Sequence, residues 1–151
     1  MIADRYELIR EIRIGGMGAV FEAVDRRLER PVALKFLEPS LVTNDEHVAR
    51  FHREALAAGR IGHPNICDVR DRGITDDGLH FIVMELLEGT TLFDLIQAEG
   101  PLPPQRAVPI ILGVLSALGA AHRAGIIHRD LKPENIFLVI SEEGSETVKL
   151  L

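Results

Sequence analysis

The sequence GIIHRDLKPENIF, Gly125 to Phe137, joins an apolar helical pattern to an apolar strand pattern. Its centre, His128 to Asn135, is a run of polar and loop-forming residues. Loops that carry function have this composition, and ordinary solvated turns have it too. The rest of the chain is needed to distinguish the two.

Three side chains in this loop could act together in a phosphoryl transfer. The carboxylate of Asp130 could accept a hydroxyl proton. The ammonium of Lys132 could stabilise a transferring phosphoryl group, and the amide oxygen of Asn135 could ligate Mg²⁺. Each residue alone is equally well explained as a solvated loop residue. Their order and close spacing together favour a catalytic loop.

The first half of the chain predicts a strand-rich unit. RYELIREIRI and AVFEAVD, separated by GGMG, predict a hairpin. The alternation in RPVALKFLE predicts a strand with Lys35 on the face opposite its large apolar side chains. Thr43 and Glu46 predict a capping box at the start of a helix. ICDVRDRGITDDGLHFIVME predicts two strands joined at Asp77-Gly78.

The second half predicts a mainly helical unit. TTLFDLIQAEG predicts a short helix, and a long helix is expected from Pro103 to Ala124, ended by Gly125. The long helix is apolar almost all round and is expected to be buried, with its first turns disturbed by Pro109. NIFLVI and ETVKLL predict two short strands.

Composition limits the classes of function. The chain has 151 residues, 46% hydrophobic and 26% charged, which fits one globular domain or part of a larger one. A net charge of -6 and the lack of a Lys/Arg block argue against a nucleic-acid partner. Cys67 is the only cysteine, which fits a reducing, cytoplasmic location. The longest uncharged run, Ala107 to Ala121, is shorter than the roughly 20 residues of a membrane span, so no membrane segment is expected.

Two features of the first half could bind phosphate. Gly15, Gly16 and Gly18 lie in one turn, and glycine allows backbone N–H groups to approach a ligand closely. Lys35 lies within a strand, and a partly buried lysine needs an anionic partner, for which Glu54 on the predicted helix is a candidate. A plain glycine turn and a solvated helix carboxylate remain the alternatives.

Taken together, these motifs resemble the Hanks-type serine/threonine protein kinases common in bacteria, over the whole chain. VALK resembles the strand lysine motif, RFHREALAAGRIGHPNI the αC helix, FIVMELLEGTTL the strand into the hinge, and HRDLKPEN the catalytic loop. The resemblance implies a protein-kinase-like α+β fold. Its N-lobe would be complete (1–84, a five-stranded antiparallel sheet plus αC), followed by a hinge (85–89) and a partial helical C-lobe (90–151).

The resemblance also implies ATP and Mg²⁺ as cofactors and a protein with Ser or Thr as substrate. It implies Asp130 as the catalytic base, Lys132 as the phosphate-stabilising residue and Asn135 as a metal ligand. Lys35 with Glu54 would clamp the phosphates. The ATP-binding residues that it implies are Ile12, Gly15, Gly16, Gly18, Val20, Ala33, Lys35, Glu54, Glu85 and Leu87.

Two departures from the family pattern affect the expected function. Arg13 occupies the position of the first glycine of the family's loop, so weaker nucleotide binding is expected. In the family, Asp-Phe-Gly follows the position of Val148 to Leu151, and its Asp holds Mg²⁺. We therefore expect the 151 residues to be an N-terminal portion of a kinase, inactive alone and able to self-associate through its uncovered long helix.

One alternative remains open, which is a non-catalytic nucleotide-binding or regulatory kinase-like module. A purely structural interaction domain is disfavoured because the residues with implied roles in phosphoryl transfer are all present. These residues are Lys35, Glu54, Asp130, Lys132 and Asn135.

Overall fold

A computed structural model describes residues 1–15, 18–141 and 143–151, with the backbone alone at positions 54 and 57. The chain divides into two compact units. The first unit is Met1–Gly59 with Asp68–Leu86, and the second is Arg60–Cys67 with Leu87–Leu151. These units differ from the predicted domains mainly at residues 60–67, because that segment packs with the second unit rather than the first.

The first unit is built on a five-stranded antiparallel sheet in the order β1-β2-β3-β5-β4. Its strands are β1 (Tyr6–Gly15), β2 (Gly18–Asp25), β3 (Arg30–Phe36), β4 (Val69–Ile74) and β5 (His80–Glu85). The predicted hairpin at the glycines is confirmed, since β1 pairs with β2 and Gly15 lies opposite Gly18. The sheet and its helix confirm the predicted fold class of the first unit.

The two faces of β3 pack against different partners, as the sequence alternation predicts. Val32, Leu34 and Phe36 belong to one buried cluster, which also contains Tyr6 and Phe81. The opposite face packs on α1 (Asp45–Ile61). The buried residues of that second cluster are Leu37, Phe51, Ala55 and Ile82. Full burial of one large apolar side chain contributes roughly 1.5–3 kcal/mol, so both clusters stabilise the sheet.

The predicted capping box at the start of α1 is wrong. The cap is Asn44, whose Oδ1 accepts hydrogen bonds from the backbone N–H of Glu46 at 2.9 Å and of His47 at 3.4 Å. The Thr43 hydroxyl instead donates to the carbonyl of Ser40 at 3.4 Å. Thr and Asn are both good cap residues, so the helix begins one residue later than the sequence pattern indicates.

The second unit combines two helices with a three-stranded sheet in the order β6-β7-β8. Its elements are β6 (Gly89–Thr91), α2 (Leu92–Glu99), α3 (Pro104–Arg123), β7 (Ile136–Ile140) and β8 (Glu146–Leu150). The sequence pattern did not predict β6, which is only three residues long. The hydroxyl of Thr91 accepts a hydrogen bond from the Asp94 N–H at 3.0 Å, so the last residue of β6 also caps α2.

The segment between α1 and β4 forms an edge of the second unit. Ile66 forms a parallel bridge with Leu150 of β8. The backbone N–H of Cys67 donates to the carbonyl of Leu150 at 2.9 Å, and the N–H of Leu150 donates to the carbonyl of Asn65 at 2.8 Å. Cys67 is 5% exposed, as expected for a small buried hydrophobic residue.

Helix α3 is buried on one face only. Ile110, Val114 and Ala117 are in the core of the second unit, whereas Leu112 and Leu115 are 60% and 56% exposed. The expected burial therefore holds for one face of α3, and the other face is exposed, as expected for a long helix left uncovered in the 151-residue chain. The helix is continuous through Pro109, since a proline so near the N-terminus removes only one internal hydrogen bond.

By length and composition α3 is also apolar enough to cross a membrane. Core helices of soluble domains pass the same test, so one such helix is weak evidence for a span. Of its apolar window, 28% is buried.

Candidate active site

Two of the three glycines in the glycine turn of the first unit, Gly15 and Gly18, are described and have different environments. Gly18 has a φ of +128°, and a Cβ at this position would collide with the carbonyl oxygen of Phe36. A Cβ at Gly15 would have no neighbour within 4 Å. Gly18 is therefore required by the backbone, and Gly15 borders open space. The predicted site residue Gly16 lies outside the described residues.

Lys35 lies on the sheet face that packs against α1. Its cross-strand neighbours are Val20 of β2 and Ile82 of β5. Ile82 packs with Phe51 and Ala55 of α1. The structure thus places α1 over the row of the sheet that contains Lys35.

Glu54 lies on α1 between Phe51 and Ala55, but its side chain is outside the described residues. The predicted Lys35–Glu54 ion pair therefore stays a prediction. Of the other predicted nucleotide contacts, Ala33 is buried and Ile12 is 44% exposed.

The predicted adenine-binding segment begins at the end of β5. The backbone N–H of Glu85 donates to the carbonyl of Asp68 at 3.0 Å, and the Asp68 N–H donates to Oε1 of Glu85 at 2.8 Å. A ligand could not accept a hydrogen bond from the Glu85 N–H without breaking the first of these bonds. Leu87 is half-buried, and its contact with adenine stays a prediction.

In the second unit, the loop before β7 brings three predicted residues together around one carboxylate. Nζ of Lys132 is 3.3 Å from Oδ2 of Asp130. Nδ2 of Asn135 donates to the same Oδ2 at 3.0 Å and to the Asp130 carbonyl at 2.8 Å. A 3-10 turn at Pro133–Asn135 folds the chain back to allow these contacts.

His128 holds the backbone of this loop, a role that the sequence analysis missed. Its Nε2 donates to the carbonyl of Leu151 at 2.8 Å, and its Nδ1 accepts from the Asp130 N–H at 3.3 Å. These two hydrogen bonds tie the loop backbone at Asp130 to Leu151, which directly follows β8. Arg129, between His128 and Asp130, has a φ of +63°, a left-handed conformation that is unusual for a residue other than glycine.

The electrostatics of the loop favour an ionised Asp130. Partial burial raises the pKa of the carboxyl and is the largest single influence, but hydrogen bonds from Lys132 and Asn135 outweigh it and lower the pKa below its usual value. With 41% of the Asp130 side chain exposed, the effect of burial is limited by solvent. Asp130 is therefore charged at neutral pH and able to accept a proton.

Asn135 offers a metal ion one neutral ligand atom. Since Nδ2 of Asn135 is directed at Asp130, the amide Oδ1 is the atom of Asn135 that could bind Mg²⁺. An amide oxygen brings no negative charge, and Mg²⁺ is normally held through carboxylates and phosphates. Among the described residues, no group of three or more His, Cys, Asp or Glu side chains could hold a metal.

Comparison with known families gives a match to almost the whole chain. A family model described as protein kinase domain matches residues 6–151. The serine/threonine-protein kinase pkn3 of Myxococcus xanthus is 46% identical over 150 residues, which are 99% of this chain and 27% of that protein. PrkC of Bacillus subtilis is 44% identical over 137 residues, which are 91% of this chain and 21% of that protein.

Solved structures give the same result. The crystal structure of the Mycobacterium tuberculosis PknI kinase domain superimposes with a TM-score of 0.86 at 32% identity. The match covers 99% of this chain and 59% of that domain. The chain thus spans about a quarter of the Myxococcus protein and less than two thirds of the solved domain.

Proposed function

Because the chain belongs to the protein kinase domain family and its relatives are serine/threonine kinases, we propose that it supplies the nucleotide-binding and catalytic-loop parts of an ATP-dependent kinase. The observation that carries this proposal is the contact of Lys132 and Asn135 with Oδ2 of Asp130. An ionised carboxylate, a cation and an amide oxygen are the groups that phosphoryl transfer to a hydroxyl requires.

In this mechanism Asp130 orients the Ser or Thr hydroxyl of the substrate and accepts its proton as the new O–P bond forms and the bond from the γ-phosphorus to the bridging oxygen breaks, releasing ADP. Lys132, 3.3 Å from that carboxylate, stabilises the negative charge of the transferred group. The glycine turn and Lys35, with Glu54 as its proposed partner, hold the phosphates, and Asn135 Oδ1 is the proposed ligand for Mg²⁺. Mg²⁺, when bound, neutralises phosphate charge.

The 151-residue polypeptide itself is expected to transfer no phosphate above background. The described residues supply one neutral metal ligand and no carboxylate cluster for Mg²⁺. The measurement is incorporation of labelled phosphate from ATP into a generic protein substrate, with Asp130→Ala as the control for a contaminating kinase. Transfer that Asp130→Ala abolishes would show that this expectation is wrong.

The kinase function itself can be tested in a completed chain, in which these 151 residues are followed by the rest of the solved kinase domain. We expect the completed chain to phosphorylate Ser or Thr in a generic substrate. If it binds ATP but transfers no phosphate while the solved domain is active, the non-catalytic nucleotide-binding alternative is the better description. The fold of the completed chain is checked by circular dichroism before either result is interpreted.

Arg13→Gly is expected to tighten nucleotide binding. Arg13 lies on β1 opposite Val20, at the glycine turn, and glycine would restore a permissive backbone and remove the side chain. We expect a Kd for an ATP analogue that is roughly two- to fivefold lower, or about 0.5–1 kcal/mol. Calorimetric titration measures this change. If Arg13→Gly bound more weakly and Arg13→Lys bound as tightly as the unmodified chain, the positive charge at position 13 would instead help to bind phosphate.

We further propose that the exposed apolar face of α3 makes the 151-residue polypeptide self-associate. The residues of this face are Val108, Ile111, Leu112 and Leu115. Exposed patches of this kind favour association. In dilute monomer we expect weak hydrogen-exchange protection over 107–121 and strong protection in β2 and β3. A monodisperse monomer with its most protected amides in α3 would contradict this proposal.

The location and partners follow from the same proposal. A cytoplasmic location is proposed because Cys67, the single cysteine of the sequence, cannot form an intrachain disulfide, and chains without disulfides are typical of reducing compartments. ATP and a protein with accessible Ser or Thr are the proposed partners.

A further inference from the structure

Two histidines of the first unit link α1 to β5. Nε2 of His52 and Nδ1 of His80 are 2.6 Å apart, and the two ring centroids are 4.9 Å apart. One of these nitrogens must donate and the other must accept, so one hydrogen occupies the gap. An imidazolium carries hydrogen on both nitrogens, so the pair cannot keep this geometry when both rings are protonated.

The buried nitrogen of His52 shows which ring donates. Nδ1 of His52 is buried without a hydrogen-bond partner in the described part of the chain. A buried N–H without an acceptor is rarer and more costly than an unused lone pair. Neutral His52 therefore carries its hydrogen on Nε2 and donates it to Nδ1 of His80. A further proton would have to enter either the buried Nδ1 of His52 or the acceptor nitrogen of His80, and both positions destabilise the pair.

The surroundings of His52 add to this cost. Burial lowers the pKa of His52 most. Electrostatic repulsion from His80 on β5 and from Arg72 on β4 lowers it further. On its own helix, the neighbouring Phe51 ring lies edge-on at 5.7 Å between centroids. The elements packed around His52 thus oppose a positive charge.

We propose that the His52–His80 hydrogen bond is a pH-sensitive lock that fixes α1 to the sheet at neutral pH and opens in mildly acidic solution. In the described part of the chain, α1 also packs on the sheet through an apolar cluster that contains Phe51 and Ala55. A proton binds more readily to the released His52 than to His52 in the locked pair, because burial lowers the pKa of the packed ring. The stabilisation of α1 by the His52–His80 hydrogen bond is therefore complete above about pH 6.5, the usual histidine pKa, and is lost as the pH falls below that value.

The position of the lock connects it to the proposed kinase chemistry. His52 precedes Glu54 by two residues on α1. Release of α1 would displace the residue that is proposed to pair with Lys35, and acid would thereby weaken phosphate positioning. This consequence rests on the proposed function, whereas the lock itself does not.

Hydrogen exchange of the 151-residue chain without nucleotide tests the lock independently of any activity. A released His52 with the usual histidine pKa of about 6.5 binds a proton that the locked ring does not, so a fall to about pH 5.5 shifts the opening equilibrium by about tenfold. Between about pH 7.5 and about pH 5.5 we therefore expect α1 protection factors, corrected for intrinsic exchange, to fall by about tenfold, and those of β2 and β3 to change little.

Two variants make the test specific. His52→Gln/His80→Asn replaces the rings by amides that can keep the hydrogen bond and do not titrate, so the fall in α1 protection should disappear. His47→Gln removes an exposed histidine of the same helix and should leave the fall unchanged. A constant α1 protection in the unmodified chain, or an equal fall in the double variant, would overturn the proposal.

Ring nitrogen NMR of the unmodified chain gives a second readout that needs no variant. At neutral pH the expected result is a neutral His52 with its hydrogen on Nε2. As the pH falls, the coupling across the His52–His80 hydrogen bond and the protection of α1 amides should be lost together. Two histidines that titrate independently while α1 stays protected would show that no lock exists.

Discussion

In the completed chain, Asp130→Asn is expected to lower the rate of phosphate transfer by roughly 10²–10⁴-fold, the usual contribution of a general base, and to leave ATP binding nearly unchanged. The amide has the shape of the carboxylate but cannot accept a proton. Because Lys132 and Asn135 lower the pKa of Asp130, the carboxylate is ionised at neutral pH, and the variant removes a base that is fully available.

Single-turnover phosphate transfer and calorimetric ATP binding measure the two parts of this prediction. Glu134→Gln is a matched control, because it neutralises another carboxylate of the same loop, four residues after Asp130. It should change the rate little. Equal rates for Asp130→Asn and the unmodified completed chain would refute the assignment of Asp130 as the base.

Asp25→Ala is expected to destabilise the first unit by roughly 3 kcal/mol. Asp25 is 1% exposed and accepts hydrogen bonds from Nε and Nη2 of Arg5 at 2.9 and 2.7 Å. Removing one member of a buried ion pair leaves the other charge poorly solvated. The loss falls at the lower end of the usual range because Arg5 keeps an ion pair with Asp71 at 2.7 Å.

Urea denaturation followed through Tyr6 measures this loss. Tyr6 is the only tyrosine of the chain and is 2% exposed. Glu7→Ala is the control, since Glu7 pairs with Arg26 at the surface and such pairs contribute about 0–1 kcal/mol. If the two variants lost equal stability, burial of Asp25 would not be the cause.

The effect of Asp25→Ala also depends on pH. Hydrogen bonds from Arg5, foremost, lower the pKa of Asp25 below its usual value. A carboxyl with a lowered pKa contributes its stability above the unfolded value of about 3.9, and the contribution is lost as the pH falls through the folded value. The difference between the variant and the unmodified chain should therefore shrink below about pH 4.

The sequence predicted the elements that depend on strong local patterns. The alternation in β3, the glycine hairpin and the polar loop around Asp130 are defined by residues next to one another in the chain. The contact of Asn135 with Asp130 spans only five residues, so the order of the loop was enough to group its side chains.

Features that depend on tertiary contacts were not predictable in the same way. β6 has three residues and is defined by its pairing with β7 rather than by its own composition. The link between His52 and His80 joins residues that are 28 positions apart. The start of α1 depended on a choice between two adjacent cap residues, Thr43 and Asn44, of similar intrinsic preference.

The path of residues 60–67 determines how this fold can be divided. Because the chain enters the second unit at Arg60, leaves it at Cys67 and returns at Leu87, a cut at the hinge does not separate two self-sufficient pieces. A fragment that begins at Leu87 loses the segment that bridges β8 through Ile66 and Leu150. It would expose a bare strand edge, which is a template for pairing with other chains. Gene fragments split at the hinge would therefore yield an aggregation-prone C-terminal piece.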